Sequence, residues 1–166
     1  MNALIMARGD DPPATAAGGT MRVTAAREPD AGVGPHGQRG PSGPAACILL
    51  VDDDDAVRET LADLLELDGY RTLQAGDAET ALGCLEREQV DLLITDLSMP
   101  GSDGISLIRQ GKAARHQLPA ILLTGYAEEA GLVTARAGTQ FHVLSKPVEA
   151  NQLLSQVRLL LRPHST

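Results

Sequence analysis

Four consecutive aspartates, Asp52–Asp55, follow directly after the apolar run Cys47–Val51. A short aliphatic run that ends in charge is typical of a buried strand. Adjacent carboxylates disfavour one another's ionisation unless water, protons or a cation neutralise them. A site built only from oxygen ligands suits a hard divalent cation, above all Mg²⁺. The acidic run therefore predicts a Mg²⁺ site at the C-terminal end of a strand.

Three further polar residues end or follow predicted strands: Asp96 after Val90–Thr95, Thr124 at the end of Ala120–Thr124, and Lys146 after Phe141–Ser145. A carboxylate can act as a nucleophile and form an aspartyl-phosphate. Phosphoryl transfer depends chiefly on positioning and on neutralising charge, which an ammonium and a hydroxyl can both assist. Asp96 is therefore a candidate nucleophile and metal ligand. Thr124 and Lys146 are candidate contacts for phosphoryl oxygens.

The elements that position these residues alternate between strand and helix from residue 46 onward. Besides the strands above, the pattern predicts a strand at Arg71–Ala75 and five helices: one after Asp55 that ends at Asp68-Gly69, Asp77–Glu88, one that begins near Ile105, Glu128–Ala137, and Glu149–Leu161. Five β-α units predict an α/β fold with a parallel sheet and helices on both faces. In such sheets the functional residues gather beyond the carboxyl ends of the strands.

The 166-residue chain divides by composition. Residues 1–45 are rich in Gly and Pro, which predicts a disordered segment, although Gly19–Thr24 can form a short strand. Residues 46–162 form the predicted domain and residues 163–166 a short tail. Cys47 and Cys84 have no metal-ligand spacing and are expected in the core.

The formal net charge is −8, and all of the excess falls in the predicted domain. This acidity argues against binding to nucleic acid. No window has the length of a membrane span, and the first twenty residues lack the apolar run of a secretory signal. We therefore expect a cytoplasmic protein without a membrane partner.

Taken together, the motifs resemble the receiver domain of two-component response regulators over residues 46–161. The matching segments are Ile48–Asp54, Leu93–Gly104, Ala120–Tyr126 and Leu144–Pro147. This resemblance implies a flavodoxin-like, doubly wound sheet of five parallel strands in the order 2-1-3-4-5. It also implies a phosphoryl donor that is a histidine kinase or a phosphotransfer protein, and a downstream protein that the motifs do not identify. The chain is expected to be a stand-alone receiver or the receiver part of a hybrid histidine kinase.

The resemblance also implies roles for particular residues. Asp96 is the phosphorylated residue, and Thr124 and Lys146 assist. Asp53 and Asp96 bind Mg²⁺ together with the carbonyl of Ser98, and Asp52 helps through water. The peptide bond that follows Lys146 is expected to be cis.

Three positions depart from the family pattern. Val143 stands where many receivers carry an aromatic residue that couples phosphorylation to the output face. Gly125 stands where alanine is commoner. Asp55 stands where many relatives have proline, and we expect it to cap the first helix.

Two other classes of protein stay open at this point. One is a Mg²⁺-dependent phosphohydrolase with an aspartyl nucleophile, although no Asp-x-Asp-x-Thr signature is present. The other is a degenerate receiver that only binds partners, although its usual mark, the loss of Asp96 or Lys146, is absent. As a receiver, the chain would catalyse at most its own phosphorylation and dephosphorylation. Asp103 is expected in a turn or cap, and His142 at the surface or in a satisfied core position.

Overall fold

A computed structural model describes residues 22–24, 45–125 and 140–162. Its strands are β1 (Arg22–Thr24), β2 (Cys47–Val51), β3 (Arg71–Ala75), β4 (Leu92–Asp96), β5 (Ser98–Met99), β6 (Ser102–Asp103), β7 (Ala120–Thr124) and β8 (His142–Ser145). Its helices are α1 (Asp55–Leu67), α2 (Ala78–Arg87), α3 (Gly104–Ala114) and α4 (Ala150–Leu160). Within these ranges, no helix combines the length and the apolar character that crossing a membrane requires.

The main sheet has the strand order β1-β3-β2-β4-β7-β8. All neighbours from β3 to β8 are parallel, which confirms the predicted five-stranded sheet and its order 2-1-3-4-5. A sixth strand, β1, pairs antiparallel with β3 and lies within the stretch expected to form a short strand. The helix predicted at Glu128–Ala137, the tail and most of the segment predicted to be disordered lie outside the described residues.

The core has two layers because successive residues of a strand point to opposite faces of the sheet. On one face, the side chains of Leu49, Leu93 and Leu122 pack with α2 and α3. On the other face, Ile48, Ile94 and Ile121 pack with α1 and α4. All six side chains are fully buried, so the sheet is apolar on both faces and its position between the helices is fixed.

Both cysteines belong to the first of these layers. Cys47 and Cys84 are buried thiols that are not joined in a disulfide, as expected for small core residues. Burial is the main cause that raises the pKa of both thiols. Neither side chain therefore has the thiolate character of a reactive cysteine.

The acidic run serves partly to start α1. Asp54, rather than Asp55, is the N-cap, and its carboxylate accepts hydrogen bonds from the backbone N–H groups of Ala56 and Val57. The expectation that Asp55 caps this helix was therefore wrong. Asp55 is the first helical residue and pairs with Arg58 one turn later. A carboxylate at either position is favourable because the free N–H groups give the helix start a partial positive charge.

The end of α1 is fixed by Gly69, whose φ of 93° lies in the left-handed region. The N–H of Tyr70 donates to the carbonyl of Leu65, and the N–H of Gly69 donates to that of Glu66. This pair of bonds is the Schellman arrangement, which satisfies the last carbonyls of a helix. It confirms the stop predicted at Asp68-Gly69.

Two further aspartates begin helices. Asp77 caps α2 by accepting from the N–H of Thr80, and Asp103 caps α3 by accepting from the N–H of Ser106. The prediction that Asp103 is a cap residue is confirmed, and this carboxylate is occupied locally.

Removing residues 1–45 is expected to leave the melting temperature almost unchanged. The deletion removes the β1–β3 pairing, but each backbone hydrogen bond contributes only about 1 kcal/mol net. Ordering each strand residue costs about 1–2 kcal/mol, so the two effects nearly cancel. Thermal unfolding of the full chain and of residues 46–166, followed by circular dichroism, checks this expectation. A drop of more than about 5 °C, roughly 1 kcal/mol for a domain of this size, would contradict it.

Candidate functional site

Four of the predicted site residues lie at one edge of the sheet, where the parallel strands end. Asp52 follows β2, Asp96 ends β4, Thr124 ends β7 and Lys146 follows β8. Oxygens of Asp52, Asp53 and Asp96 all lie within 4.8 Å of one another. The Lys146 Nζ atom is 2.8 Å from Asp52 Oδ2 and 2.9 Å from Asp96 Oδ1. Residues that are far apart in the sequence thus form a single acidic rim with one ammonium at its centre.

Asp52 is held at every polar atom. Its N–H donates to the carbonyl of Ala75 at 3.2 Å, and its own carbonyl accepts from Arg58 Nη1 at 2.6 Å. Its Oδ1 atom accepts from the N–H of Asp54 at 2.9 Å, and Oδ2 accepts from Lys146. Only 1% of the residue is exposed. A buried carboxylate needs such compensation because it has lost its hydration.

Asp96 is also buried, and the loop that follows it fixes its carboxylate. The Oδ2 atom accepts from the N–H of Ser98 at 3.2 Å, whereas Oδ1 pairs with Lys146. Ser98 begins the β5–β6 hairpin, which turns at Gly101 with a φ of 77°. Ser98 is therefore close to the rim, as its predicted role as a carbonyl ligand requires.

Gly104 allows this loop to return to the strand. Its N–H donates to the carbonyl of Leu97 at 2.9 Å. A Cβ atom at this position would lie 2.1 Å from the backbone oxygen of Asp96, far inside van der Waals contact. Its role is to admit the backbone of the candidate nucleophile.

Lys146 and Thr124 are joined through their backbones. The N–H of Lys146 donates to the carbonyl of Thr124 at 2.7 Å, and the Lys146–Pro147 peptide bond is cis, as expected. Burial lowers the pKa of the ammonium, but its hydrogen bonds with Asp52 and Asp96 outweigh burial and raise the pKa above the ordinary value of 10.5. Lys146 is thus a fixed cation within reach of the candidate nucleophile.

The donor set fits a magnesium ion. Asp53 is exposed, whereas Asp52 and Asp96 are buried at its side. Three carboxylates with one of them open to solvent match the preference of Mg²⁺ for oxygen ligands and retained water. All three residues were identified from the sequence.

Arg58 was missed by sequence analysis. It lies on the buried face of α1 with Leu61, Ala62 and Leu65, and it is only 7% exposed. Its spacing could have indicated this burial, because Arg58 precedes Leu61 by three residues and Ala62 by four and so lies on the apolar side of the helix that faces the sheet.

Receiver domains are among the solved structures that this chain resembles. A CheY-like receiver from Methanospirillum hungatei JF-1 has a TM-score of 0.63 and 30% identity, covering 69% of this chain and 92% of that one. A putative response regulator from Chloroflexus aurantiacus J-10-fl has a TM-score of 0.66 and 32% identity, covering 72% and 99%. The receiver domain of the hybrid histidine kinase CckA has a TM-score of 0.60 and 34% identity, covering 70% and 100%. The fold is therefore that of a CheY-like receiver.

A family model for the response regulator receiver domain matches residues 48–158, which is more than half of the chain. The chain belongs to the response regulator receiver domain family. It carries a phosphoacceptor domain of the two-component signalling type.

Curated relatives are longer than this chain. The response regulator protein FleR of Pseudomonas aeruginosa is 41% identical over 113 residues, which are 68% of this chain and 24% of FleR. The transcriptional regulatory protein CpxR of Klebsiella pneumoniae is 36% identical over 115 residues, which are 69% of this chain and 49% of CpxR. The chain thus spans about a quarter to a half of the length of these relatives.

Replacing Gly104 by alanine is expected to destabilise the domain by about 1–3 kcal/mol, the usual cost of overpacking. The added methyl group meets the Asp96 carbonyl, so β4 or the loop must shift. Denaturant unfolding measures the change. Gly83→Ala in α2 is the control, since no heavy atom lies within 4 Å of its new Cβ and alanine favours a helix. Equal stability of the two variants would show that the loop yields without strain.

Replacing Lys146 by methionine is expected to cost about 3 kcal/mol at pH 7 without metal, because the buried Asp52 carboxylate loses its counterion. The folded-state pKa of Lys146 is raised, so its contribution is complete below pH 10.5 and is lost as the pH rises through that higher value. The stability difference between wild type and variant should therefore shrink in strongly alkaline buffer. Added Mg²⁺ should stabilise the variant more than the wild type. Urea unfolding at several pH values tests both points, and a difference that grows above pH 10.5 would contradict the assignment.

Proposed function

We propose that Asp96 accepts a phosphoryl group from a histidine kinase or a phosphotransfer protein in a Mg²⁺-dependent reaction. The observation that carries the proposal is the convergence of three carboxylates and the Lys146 ammonium at the end of β4. A phosphohistidine donor is the expected substrate because the family belongs to two-component signalling and one structural neighbour is the receiver domain of a hybrid histidine kinase. Such a kinase phosphorylates in the cytoplasm, which is the location we propose for this domain.

The metal site that we propose contains Asp53 and Asp96 as direct ligands, with the carbonyl of Ser98. Asp52 assists through water. When bound, Mg²⁺ neutralises the oxygens of the transferring phosphoryl group. The exposed Asp53 is open to a hydrated ion, and Asp52, at 1% exposed, is more deeply buried than Asp96, at 7%.

The transfer itself forms one bond and breaks another. A carboxylate oxygen of Asp96 attacks phosphorus, the P–O bond forms, and the P–N bond to the donor imidazole breaks. The imidazole keeps the electron pair of that bond and takes up a proton from solvent. Lys146, already 2.9 Å from Asp96 Oδ1, then has a phosphoryl oxygen as a further partner. The Thr124 hydroxyl, on the neighbouring strand, moves to donate to another.

The family match favours this receiver function over the two alternatives. A phosphohydrolase with an aspartyl nucleophile has no support from the relatives, which are response regulators. A degenerate receiver lacks the nucleophile or the lysine, and both residues are present at the rim here. We also propose that the domain signals to a downstream protein. The matched region is only 24% of FleR and 49% of CpxR, which leaves room in those relatives for further domains.

Acetyl phosphate and Mg²⁺ are expected to add one phosphoryl group to the wild-type chain, and Asp96→Asn should abolish the addition. The amide keeps the shape of the side chain but is not nucleophilic. Mass spectrometry of the intact protein at neutral pH gives the measurement. Asp103→Asn is the matched control, because this exposed aspartate lies in the same loop and asparagine also caps helices. Full labelling of Asp96→Asn would disprove the assignment. Asp53→Ala should also remain unlabelled, but through loss of Mg²⁺ binding.

Phosphorylation is expected to change β7 and β8 only weakly, because Val143 occupies the position of the usual aromatic switch residue. Val143 is half-buried on β8 opposite Leu122 and has a short, stiff side chain. It fills only part of the space that Thr124 leaves as it moves toward the phosphoryl group. The measurement is amide hydrogen exchange of residues 120–125 and 140–148 with and without beryllofluoride. Val143→Phe should enlarge the difference, and an equal difference in both proteins would refute this explanation.

A further inference from the structure

Arg58 is a buried cation that the proposed reaction does not use. It lies beneath the acidic rim on the inner face of α1, where its neighbours on the helix are apolar. A guanidinium in such a place has lost most of its hydration, which is unfavourable unless its N–H groups find strong acceptors. The acceptors that it has therefore indicate what the residue does.

Both terminal nitrogens of Arg58 bind residues of the acidic run Asp52–Asp55. Nη1 donates to the backbone carbonyl of Asp52 at 2.6 Å, and Nη2 pairs with the carboxylate of Asp55. The guanidinium also lies against the turn after β3, since a Cβ at Gly76 would be 3.5 Å from Nη1. The side chain thus joins the end of β2 to the first turn of α1.

The Asp52 carbonyl belongs to the peptide group that leads into Asp53. Peptide groups are planar, so an anchored oxygen fixes the plane and with it the direction in which the next Cα leaves. Arg58 therefore acts on the backbone at the point where Asp53 begins, without contacting the Asp53 side chain.

Asp53 depends on this backbone more than the other two carboxylates do. The side chains of Asp52 and Asp96 are held by Lys146 and by backbone N–H groups. Asp53 is exposed, and its carboxylate has no hydrogen-bond partner among the described residues. In the metal-free protein the backbone therefore sets the position of its Cβ, and only rotation of the side chain itself is left to orient the carboxylate.

We propose that Arg58 is a positioning residue for the metal site: it holds the Asp52–Asp53 peptide so that the Asp53 carboxylate faces Asp96 before Mg²⁺ arrives. This inference rests on the proposed function, because it assumes that the rim binds Mg²⁺. It assigns Arg58 no contact with the metal or with the phosphoryl group.

A positioning role of Arg58 and a purely electrostatic effect of its charge predict opposite changes in Mg²⁺ affinity when the residue is replaced. A fixed cation near the rim repels Mg²⁺, so through charge alone the loss of Arg58 would tighten metal binding. If Arg58 orients a ligand, its loss weakens metal binding, and residues that orient metal ligands typically contribute about 10- to 100-fold in affinity. The sign of the change therefore separates the two explanations.

The test is a Mg²⁺ titration of the metal-free 166-residue chain, followed through backbone amide signals in NMR spectra. The variants are Arg58→Met, which removes the charge and the donors, and Arg58→Lys, which keeps the charge but cannot bridge two acceptors in the same way. Arg115→Met is the matched control. The Arg115 guanidinium also holds backbone carbonyls, those of Leu85, Glu88 and Val90, but at the opposite end of the sheet.

We expect Arg58→Met to bind Mg²⁺ about 10- to 100-fold more weakly than wild type, Arg58→Lys to be weakened by a smaller factor, and Arg115→Met to match the wild type. Unchanged or tighter binding by Arg58→Met overturns the proposal, as does equal weakening in Arg115→Met. If circular dichroism shows that Arg58→Met does not fold, the Mg²⁺ titration of Arg58→Lys becomes the test, since this variant keeps the positive charge. Wild-type affinity in Arg58→Lys would then overturn the proposal.

Labelling of the wild type with acetyl phosphate separates this inference from the proposed function. A wild-type protein that binds Mg²⁺ but takes up no phosphoryl group contradicts the phosphoacceptor assignment and leaves the role of Arg58 to the titration. If the wild type is labelled normally and Arg58→Met binds Mg²⁺ as tightly as the wild type, only the role of Arg58 is overturned and the phosphoacceptor assignment stands. A wild-type protein that binds no Mg²⁺ contradicts both.

Discussion

Repulsion between desolvated carboxylates is the constraint on which the rest of this structure depends. The parallel sheet delivers Asp52 and Asp96 to neighbouring strand ends, and both side chains are buried there. Two unpaired anions at such a site would be costly, since burial removes water and proximity adds repulsion. The Lys146 ammonium bonds to both of them, and backbone N–H groups hold the remaining carboxylate oxygens. These contacts compensate the buried carboxylates in the metal-free protein.

This arrangement requires that several backbone segments approach one another closely. The loop after β4 must return to the strand at Gly104, where only a hydrogen atom fits beside the Asp96 carbonyl. The loop after β2 must begin a helix within three residues, which the Asp54 cap achieves. The turn after β8 must place Lys146 beside the end of β7, and the bond from its N–H to the Thr124 carbonyl does so. The polar site is therefore built largely by backbone geometry.

The sequence predicted the sheet and the rim well because both depend on local patterns. Buried strands are continuous apolar runs, and β2, β3 and β7 have the bounds that these runs indicated. The site residues follow at strand ends, and parallel topology brings strand ends together. The sequence did not show which of Asp54 and Asp55 is the N-cap of α1. Either carboxylate can cap a helix, and only the direction of the chain after β2 selects one of them.

Arg58 and Gly104 could not be assigned from the sequence because their roles depend on contacts between distant segments. The helical spacing places Arg58 on the inner stripe of α1, but only the packing of α1 against β2 and the turn after β3 shows which groups its guanidinium contacts. A glycine after an aspartate usually marks a turn, and only the return of the loop to β4 shows that the space beside it is filled. Both roles are tertiary, so no window of sequence contains them.

The antiparallel strand β1 has a consequence for assembly. A sheet edge offers a row of free backbone donors and acceptors, to which an extended segment of another chain can add. Between residues 72 and 74, the edge of β3 is already paired with Arg22–Thr24 of the same chain. A foreign strand can pair with these residues of β3 only by displacing β1. The chain between Thr24 and Cys47 keeps the internal competitor tethered, and its local concentration sets how strongly the edge resists an intermolecular strand.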